Sequence, residues 1–146
     1  MHVAAVLKRK GSYVVSIAPD RTIAEAVSLL IEKGIGAVLV LDGTGNIYGI
    51  LSERDIVNGL SRHGADALTQ RVDALMTRDV QRCSCHDTIA EVMKVMTERR
   101  TRHLAVIEDG KLAGLISIGD VVKQRLIDMD LEVETLRGYV SLRADL

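Results

Sequence analysis

The sequence predicts an α/β (α+β) fold made of two copies of a strand, helix, strand, strand, helix unit. The copies are related by a pseudo-twofold axis and packed through their sheets, and an extended C-terminal helix follows the second. Three observations carry this. Thr22-Ile23-Ala24-Glu25 recurs letter for letter as Thr88-Ile89-Ala90-Glu91, 66 residues on. Gly49-Ile50-Leu51-Ser52-Glu53-Arg54-Asp55 recurs as Gly114-Leu115-Ile116-Ser117-Ile118-Gly119-Asp120, 65 residues on. Between these anchors both copies carry a helical apolar stripe and then two short apolar runs, in the same order. A unit of about sixty residues is marginal alone, so two should cover each other's sheets.

Composition agrees with a compact domain and excludes several classes. A chain of 146 residues buries roughly 70% of its unfolded surface. With 47% apolar residues and one proline, disorder is disfavoured. Phe and Trp are absent and there are three Tyr, so the core must be aliphatic and base-stacking readers of nucleic acid are disfavoured. A net charge of −1 argues against a general polyanion binder, so no nucleic-acid partner is expected. The longest aliphatic run, Ala37 to Leu41, falls far short of the roughly 20 residues that span a bilayer. No membrane partner is expected either, and an apolar-then-basic start, the reverse of a secretory signal, makes a cytoplasmic location the default.

In chain order, Met1 to Lys10 reads as a short helix or a pairing strand. Gly11-Ser12-Tyr13 breaks the chain before Val14 to Ile17, a short strand that Pro19-Asp20 ends. Ile23, Ala26, Val27, Leu30 and Ile31 recur at helical spacing, and Gly34 stops that helix. Ala37 to Leu41 and Ile47 to Leu51 are strands joined by the turn Asp42-Gly43-Thr44-Gly45-Asn46. Asp55 to about Leu60 is helical, and Arg62 to Gln70 reads as a linker.

The second copy repeats this. Ile89, Val92, Met93 and Met96 form the helical stripe, His103 to Ile107 and Leu112 to Ile116 the strand pair, and Val121-Val122 restart a helix. The one-residue difference in offset is placed in the turn Glu108-Asp109-Gly110-Lys111. Cys83 and Cys85 are too close in sequence to suit an unstrained disulfide. With His86 they lack a second Cys/His cluster to complete four donors, so they are read as alternating along a short strand and no metal is predicted. Three parts result: residues 1–70, the first repeat with its N-terminal segment and linker; 71–127, the second repeat; and 128–146, a helical extension.

Each Gly-to-Asp ending delivers a hydroxyl and a carboxylate to the C-terminal edge of a buried strand, where a helix begins. Free N–H groups and the positive end of the helix dipole gather there, a place where ligands bind in α/β proteins. Two readings are open for Ser52 with Asp55 and for Ser117 with Asp120. They cap the following helix, or they face a ligand, and one does not exclude the other.

The order of elements, the Thr-Ile-Ala-Glu helix starts, Met76-Thr77 before the second copy and the two Ser-x-x-Asp endings resemble tandem CBS (cystathionine β-synthase) domains over about residues 11 to 127. That family implies a stand-alone regulatory module, a Bateman module, that binds an adenosine ligand (AMP, ADP, ATP or NAD(H), in some members S-adenosylmethionine) between paired repeats. It also implies a homodimer. An ionised aspartate accepts the two hydrogen bonds that neighbouring ribose hydroxyls donate, and the resemblance puts Asp120 and Asp55 in that role, with Ser117 and Ser52 beside them. Ile118 and Gly119 complete the second turn, and Gly119 allows close approach.

For the base, the resemblance points to the segment before each first strand: Ser12, Tyr13 and Ile17 for the Asp120 cleft, Thr77 and Val80 for the Asp55 cleft. Tyr13 has a second reading as a partly buried edge residue. Arg99-Arg100-Thr101-Arg102-His103 stands where the first copy has Lys33-Gly34-Ile35-Gly36-Ala37. Arg99 and Arg100 complement the helix dipole, whereas Arg102 and His103, past the helix end, are assigned to phosphate. Arg54 is the comparable cation of the first copy, or a solvated surface residue. On these grounds the Asp120 cleft ranks as the better site.

Val122, Leu126, Met129, Val133, Leu136 and Val140 are spaced 4, 3, 4, 3, 4, a heptad seam. It packs on a partner subunit or folds back on its own domain. Three functions are open: a nucleotide sensor read by a regulated partner protein, which is favoured; a structural dimerisation module; and an enzyme. For the last there is neither a visible nucleophile and base pair nor a P-loop.

Overall fold

The computed structural model describes residues 1–144; positions 145 and 146 of the expected extension lie outside the described residues. The fold is mixed α/β, with two three-stranded sheets and six α-helices. The elements are α1 (Val3–Lys10), β1 (Ser16–Ile17), α2 (Ile23–Lys33), β2 (Ala37–Leu41), β3 (Ile47–Ser52), α3 (Glu53–His63), a 3-10 turn (Gly64–Thr69), α4 (Val72–Leu75), β4 (Arg82–Cys83), α5 (Ile89–Arg99), β5 (His103–Glu108), β6 (Lys111–Ser117) and α6 (Ile118–Ala144). In each sheet the first strand runs parallel and the third antiparallel to the middle one, in the orders β1-β2-β3 and β4-β5-β6.

The repetition reaches fine detail. Thr22 and Thr88 cap α2 and α5, each accepting from the N–H of the glutamate three residues on. Such a cap is worth about 1 kcal/mol. Gly34 closes α2 in the left-handed conformation, and Arg100 takes the same left-handed position after α5 at φ 52°. A residue with a side chain pays roughly 1 kcal/mol for that backbone. Both hairpins carry a register shift at the corresponding place, Val40/Leu41 and Val106/Ile107. The length difference lies in the second hairpin, whose Asp109-Gly110 turn has both residues at positive φ, the two-residue geometry that suits strand twist.

The chain forms two compact units, Tyr13–Val80 and Met1–Ser12 with Gln81–Leu146. These units do not coincide with the sequence repeats, whose expected boundary lies at residue 70. The N-terminal segment joins the second repeat because α1 adds its backbone to the start of α5: Val3 N–H donates to the Asp87 carbonyl, and Ile89 N–H to that of Met1, both at 2.9 Å. In the other unit α4 does the same at the start of α2, with Val72 N–H to Arg21 and Ile23 N–H to Gln70. Each helix that precedes a repeat thus packs on the other repeat. Val3 and Val6 of α1, and Val72 of α4, are fully buried in the respective cores.

Both cores are aliphatic. One gathers Ile23, Ala26, Leu30, Val38, Val40, Leu51 and Ile56; the other Ile89, Val92, Met96, Leu104, Val106, Ile116 and Val121 with Cys83 and Cys85. The cysteines are free thiols, and burial pushes that of Cys83 up to about 12. They are core side chains with no reactive character. Among the described residues no helix is long and apolar enough to cross a membrane.

Candidate functional site

Asp55 sits at the third position of α3, behind the N-cap Ser52. Its Oδ2 accepts the Ser52 N–H at 2.9 Å and the Ser52 hydroxyl at 3.1 Å, and the Asp55 N–H donates back to Ser52 Oγ at 3.3 Å. Its Oδ1 accepts the Thr77 hydroxyl at 3.0 Å. Thr77 is held by a pair of 2.9 Å backbone bonds exchanged with Ile50 of β3. The structure therefore brings Ser52, Asp55 and Thr77 together. These three are anchored from strand, helix and the segment after α4.

Beside them lies a cavity of ≈ 250 Å³, walled by Asp55, Asn58, Gly59 and Arg62 of α3 and by Ala74, Leu75, Met76 and Thr77. Asp55, Asn58, Gly59 and Arg62 recur at helical spacing, so one face of α3 supplies a carboxylate, an amide and a guanidinium in a row. Sequence reading placed Arg62 in a linker and so missed it. Arg54, named instead, is exposed and not among the walls; Val80 is half-buried in the same unit.

Asp120 repeats the cap at the start of α6. Its Oδ2 accepts the Ser117 N–H at 2.9 Å, and its own N–H donates to Ser117 Oγ at 3.2 Å. Lys10 stands where Thr77 stands in the first copy. Its Nζ donates to Asp120 Oδ2 at 2.6 Å and to the Leu115 carbonyl at 2.7 Å. Ile50 and Leu115 are equivalent, so one ammonium does what the Thr77 N–H and hydroxyl do together. Arg9 donates a 2.6 Å hydrogen bond to the side-chain amide oxygen (Oε1) of Gln124 on α6. Burial acts to raise the Asp120 carboxyl, but the Lys10 and Ser117 hydrogen bonds outweigh it and hold the group below the ordinary value. Nothing local in the sequence marks Lys10, because its role depends on α1 docking on the distant repeat.

The remaining expected residues are placed as follows. Arg102 is exposed just ahead of β5, and its carbonyl accepts the Ile118 N–H at 2.8 Å, the counterpart of the Gly36 carbonyl and Glu53 N–H in the first copy. His103 opens β5 opposite Ser117, next to the same turn. Ile118 and Gly119 are exposed, and a side chain on Gly119 would meet only Ser117 Oγ, at 3.6 Å. Ser12 is exposed after α1. Tyr13 and Ile17 belong to the other unit, where Tyr13 is 79% exposed and Ile17 packs against the core. The cavity thus accompanies Asp55, while Asp120, ranked first from sequence, carries a cation.

Comparison with known proteins settles the family. Residues 8–62 and 72–126 each match the model of the CBS domain. The chain is a pair of CBS domains. A CBS-domain protein of known structure from Agrobacterium tumefaciens is 47% identical and superposes with a TM-score of 0.83, covering 85% of this chain and 92% of that one. Another, from Burkholderia ambifaria, is 39% identical at a TM-score of 0.82, with 88% and 96% covered. The CBS domain pair of protein MJ0100, solved with 5′-methylthioadenosine and S-adenosyl-L-methionine, is 21% identical at a TM-score of 0.75 over 89% and 98%, a likeness of fold alone. The chain spans 32 to 66% of the length of the first curated relatives it matches.

Proposed function

We propose that this CBS pair is an adenosine-nucleotide-binding regulatory module of the cytoplasm that takes AMP, ADP, ATP or NAD(H). Occupancy biases the conformation of a homodimer or its hold on a regulated partner, and no catalysis is involved. The observation that carries this is the Asp55 carboxylate, flanked by the Ser52 and Thr77 hydroxyls on the wall of a polar cavity. The cavity is below the roughly 300 to 1,000 Å³ of ordinary ligand pockets, a size for the sugar end of a nucleotide and not the whole. An ionised carboxylate has about four acceptor positions, and three donors already use this one. A ribose with two hydroxyl donors therefore displaces one of them, and exposed Thr77 is the one able to turn aside. Arg62 then supports the phosphates. In the second repeat, Asp120 takes the sugar, with Ser117, Ile118 and Gly119 around it, and Lys10, Arg102 and His103 meet the phosphates. Ser12, Tyr13, Ile17 and Val80 are proposed for the base. The adenosine compounds bound by the MJ0100 pair support the ligand class.

The test is a thermal-shift panel of AMP, ADP, ATP, NAD and S-adenosylmethionine, with mass spectrometry of whatever nucleotide co-purifies. At a ligand concentration 100 times the Kd, binding adds about 2.7 kcal/mol of stability, which such a scan resolves. Deoxyadenosine analogues should shift melting less than their ribose counterparts. A second reading, a structural dimerisation module, draws on the capping bonds that both aspartates make to their own helices. Melting that no member of the panel changes would favour it.

A further inference from the structure

The long helix α6 uses only one side on its own unit. Gln124 is 3% exposed, Val121 is buried beside it, and Ile127 and Asp128 are half-buried. The opposite side is the heptad seam, and Val122, Leu126, Met129, Val133, Leu136 and Val140 are 44 to 64% exposed. The seam does not fold back on the chain's own domain. It runs for about 27 Å at 1.5 Å per residue, too apolar a line to be left in water.

We propose that a second copy of this chain docks on that seam as a parallel, in-register, two-stranded coiled coil. The inference rests on the homodimer of the functional reading and not on its ligand. The charges beside the seam select both the occupant and its direction. Arg125 and Glu132 flank it on one edge, Asp130 and Arg137 on the other. In a parallel pair Arg125 faces the partner's Asp130 and Glu132 faces the partner's Arg137, and the twofold axis doubles both attractions. In an antiparallel pair of full overlap Glu132 meets its own copy, Asp130 meets its own copy, Lys123 meets Arg137 and Arg125 meets Tyr139, so no flanking pair is of opposite charge. Sliding the antiparallel pair by a heptad relieves the charges but leaves two of the six seam residues on each chain unmatched. β-Branched Val133 and Val140 alternate with Leu136 along the seam, the pattern that favours two parallel strands. Within one chain Arg125 and Glu132 lie 3.8 Å apart, both solvated, and are free to turn to a partner.

Leu136→Cys in the full chain tests this, with mass measured by light scattering and the disulfide read on a non-reducing gel after mild oxidation. The unsubstituted chain, whose thiols are buried, is the background. In the parallel pair the introduced thiols face each other and link. In the fully overlapped antiparallel pair each lies five residues from the centre, about 15 Å from its counterpart, beyond the roughly 7 Å reach of a disulfide. A linked dimer is expected. A dimer that does not link overturns the inference and leaves the homodimer standing, whereas a monomer removes both. Arg137→Glu should weaken dimerisation roughly ten- to thirty-fold, and adding Glu132→Arg should restore it. A double variant no tighter than the single one also overturns the inference.

Discussion

Gly49 is where the two repeats differ most sharply in what a methyl group would cost. A Cβ there would stand 2.6 Å from the Thr77 carbonyl oxygen and 2.8 Å from Met76 Sδ. The methionine can move aside, but the carbonyl is main chain and accepts the Ile50 N–H at 2.9 Å, while the Thr77 N–H donates to the Ile50 carbonyl at 2.9 Å. Restoring an ordinary contact of 3.4 Å requires Thr77 to withdraw by about 0.8 Å, which takes the pair out of good hydrogen-bonding range. Two backbone bonds and the repacking of Met76 together cost about 2 to 3 kcal/mol. The stiffer unfolded chain of an alanine returns about 0.5 to 1 kcal/mol. Gly49→Ala should therefore destabilise by about 2 kcal/mol, a Tm drop of about 5 to 10 °C. Gly114 is the internal control, because the atom nearest to its Cβ, at 2.6 Å, is the end of the Leu7 side chain, which can rotate. Gly114→Ala should cost less than about 1 kcal/mol. Thermal or urea unfolding of the two variants side by side is the assay. A Gly49→Ala protein as stable as its parent, or a Gly114→Ala protein losing as much, would refute the account of Thr77 as a main-chain brace.

Replacing Lys10 by Met should lower stability at neutral pH by about 1 kcal/mol, since the pair is only partly shielded from water. The folded protein holds the Asp120 carboxyl below its ordinary value, so this contribution is complete above the unfolded value and fades as pH falls through the folded one. The gap between parent and variant in a urea titration should accordingly narrow below about pH 4, and a gap that widens there would contradict the pairing. Asp120→Ala should weaken nucleotide binding about ten- to a hundred-fold by isothermal calorimetry, the loss of one charge-assisted contact. Unchanged affinity in a folded variant would remove the ribose assignment. Cys83 and Cys85 should resist a thiol reagent in the native protein and react on unfolding in urea; prompt native labelling would show that the second core opens.

What the sequence showed best was whatever neighbouring residues decide. The Thr-Ile-Ala-Glu helix starts, the Gly34 stop and the strand–turn–strand pairs depend on residues close to one another in sequence, and each stands where the pattern put it. Helix α4 was not legible because four residues are too few to show a period. The docking of α1 was not legible either, since its buried Val3 and Val6 meet residues more than eighty positions away. The same distance hid Lys10, and with it the difference between the two aspartates. Arg100 shows the reverse case. Its left-handed backbone sits where the first repeat has glycine, and composition alone suggests only a charge at a helix end.

The exchange of helices α1 and α4 has a consequence for anyone who would cut this chain in two. A scissor line drawn at the end of the first family match leaves that half without α4, and the bare start of α2 with it. The fragment 13–80, which straddles the apparent junction, carries every strand and helix of its unit. Truncations and fusions meant to isolate one half should follow that staggered boundary; a cut placed between the duplicated motifs would leave two incomplete bodies.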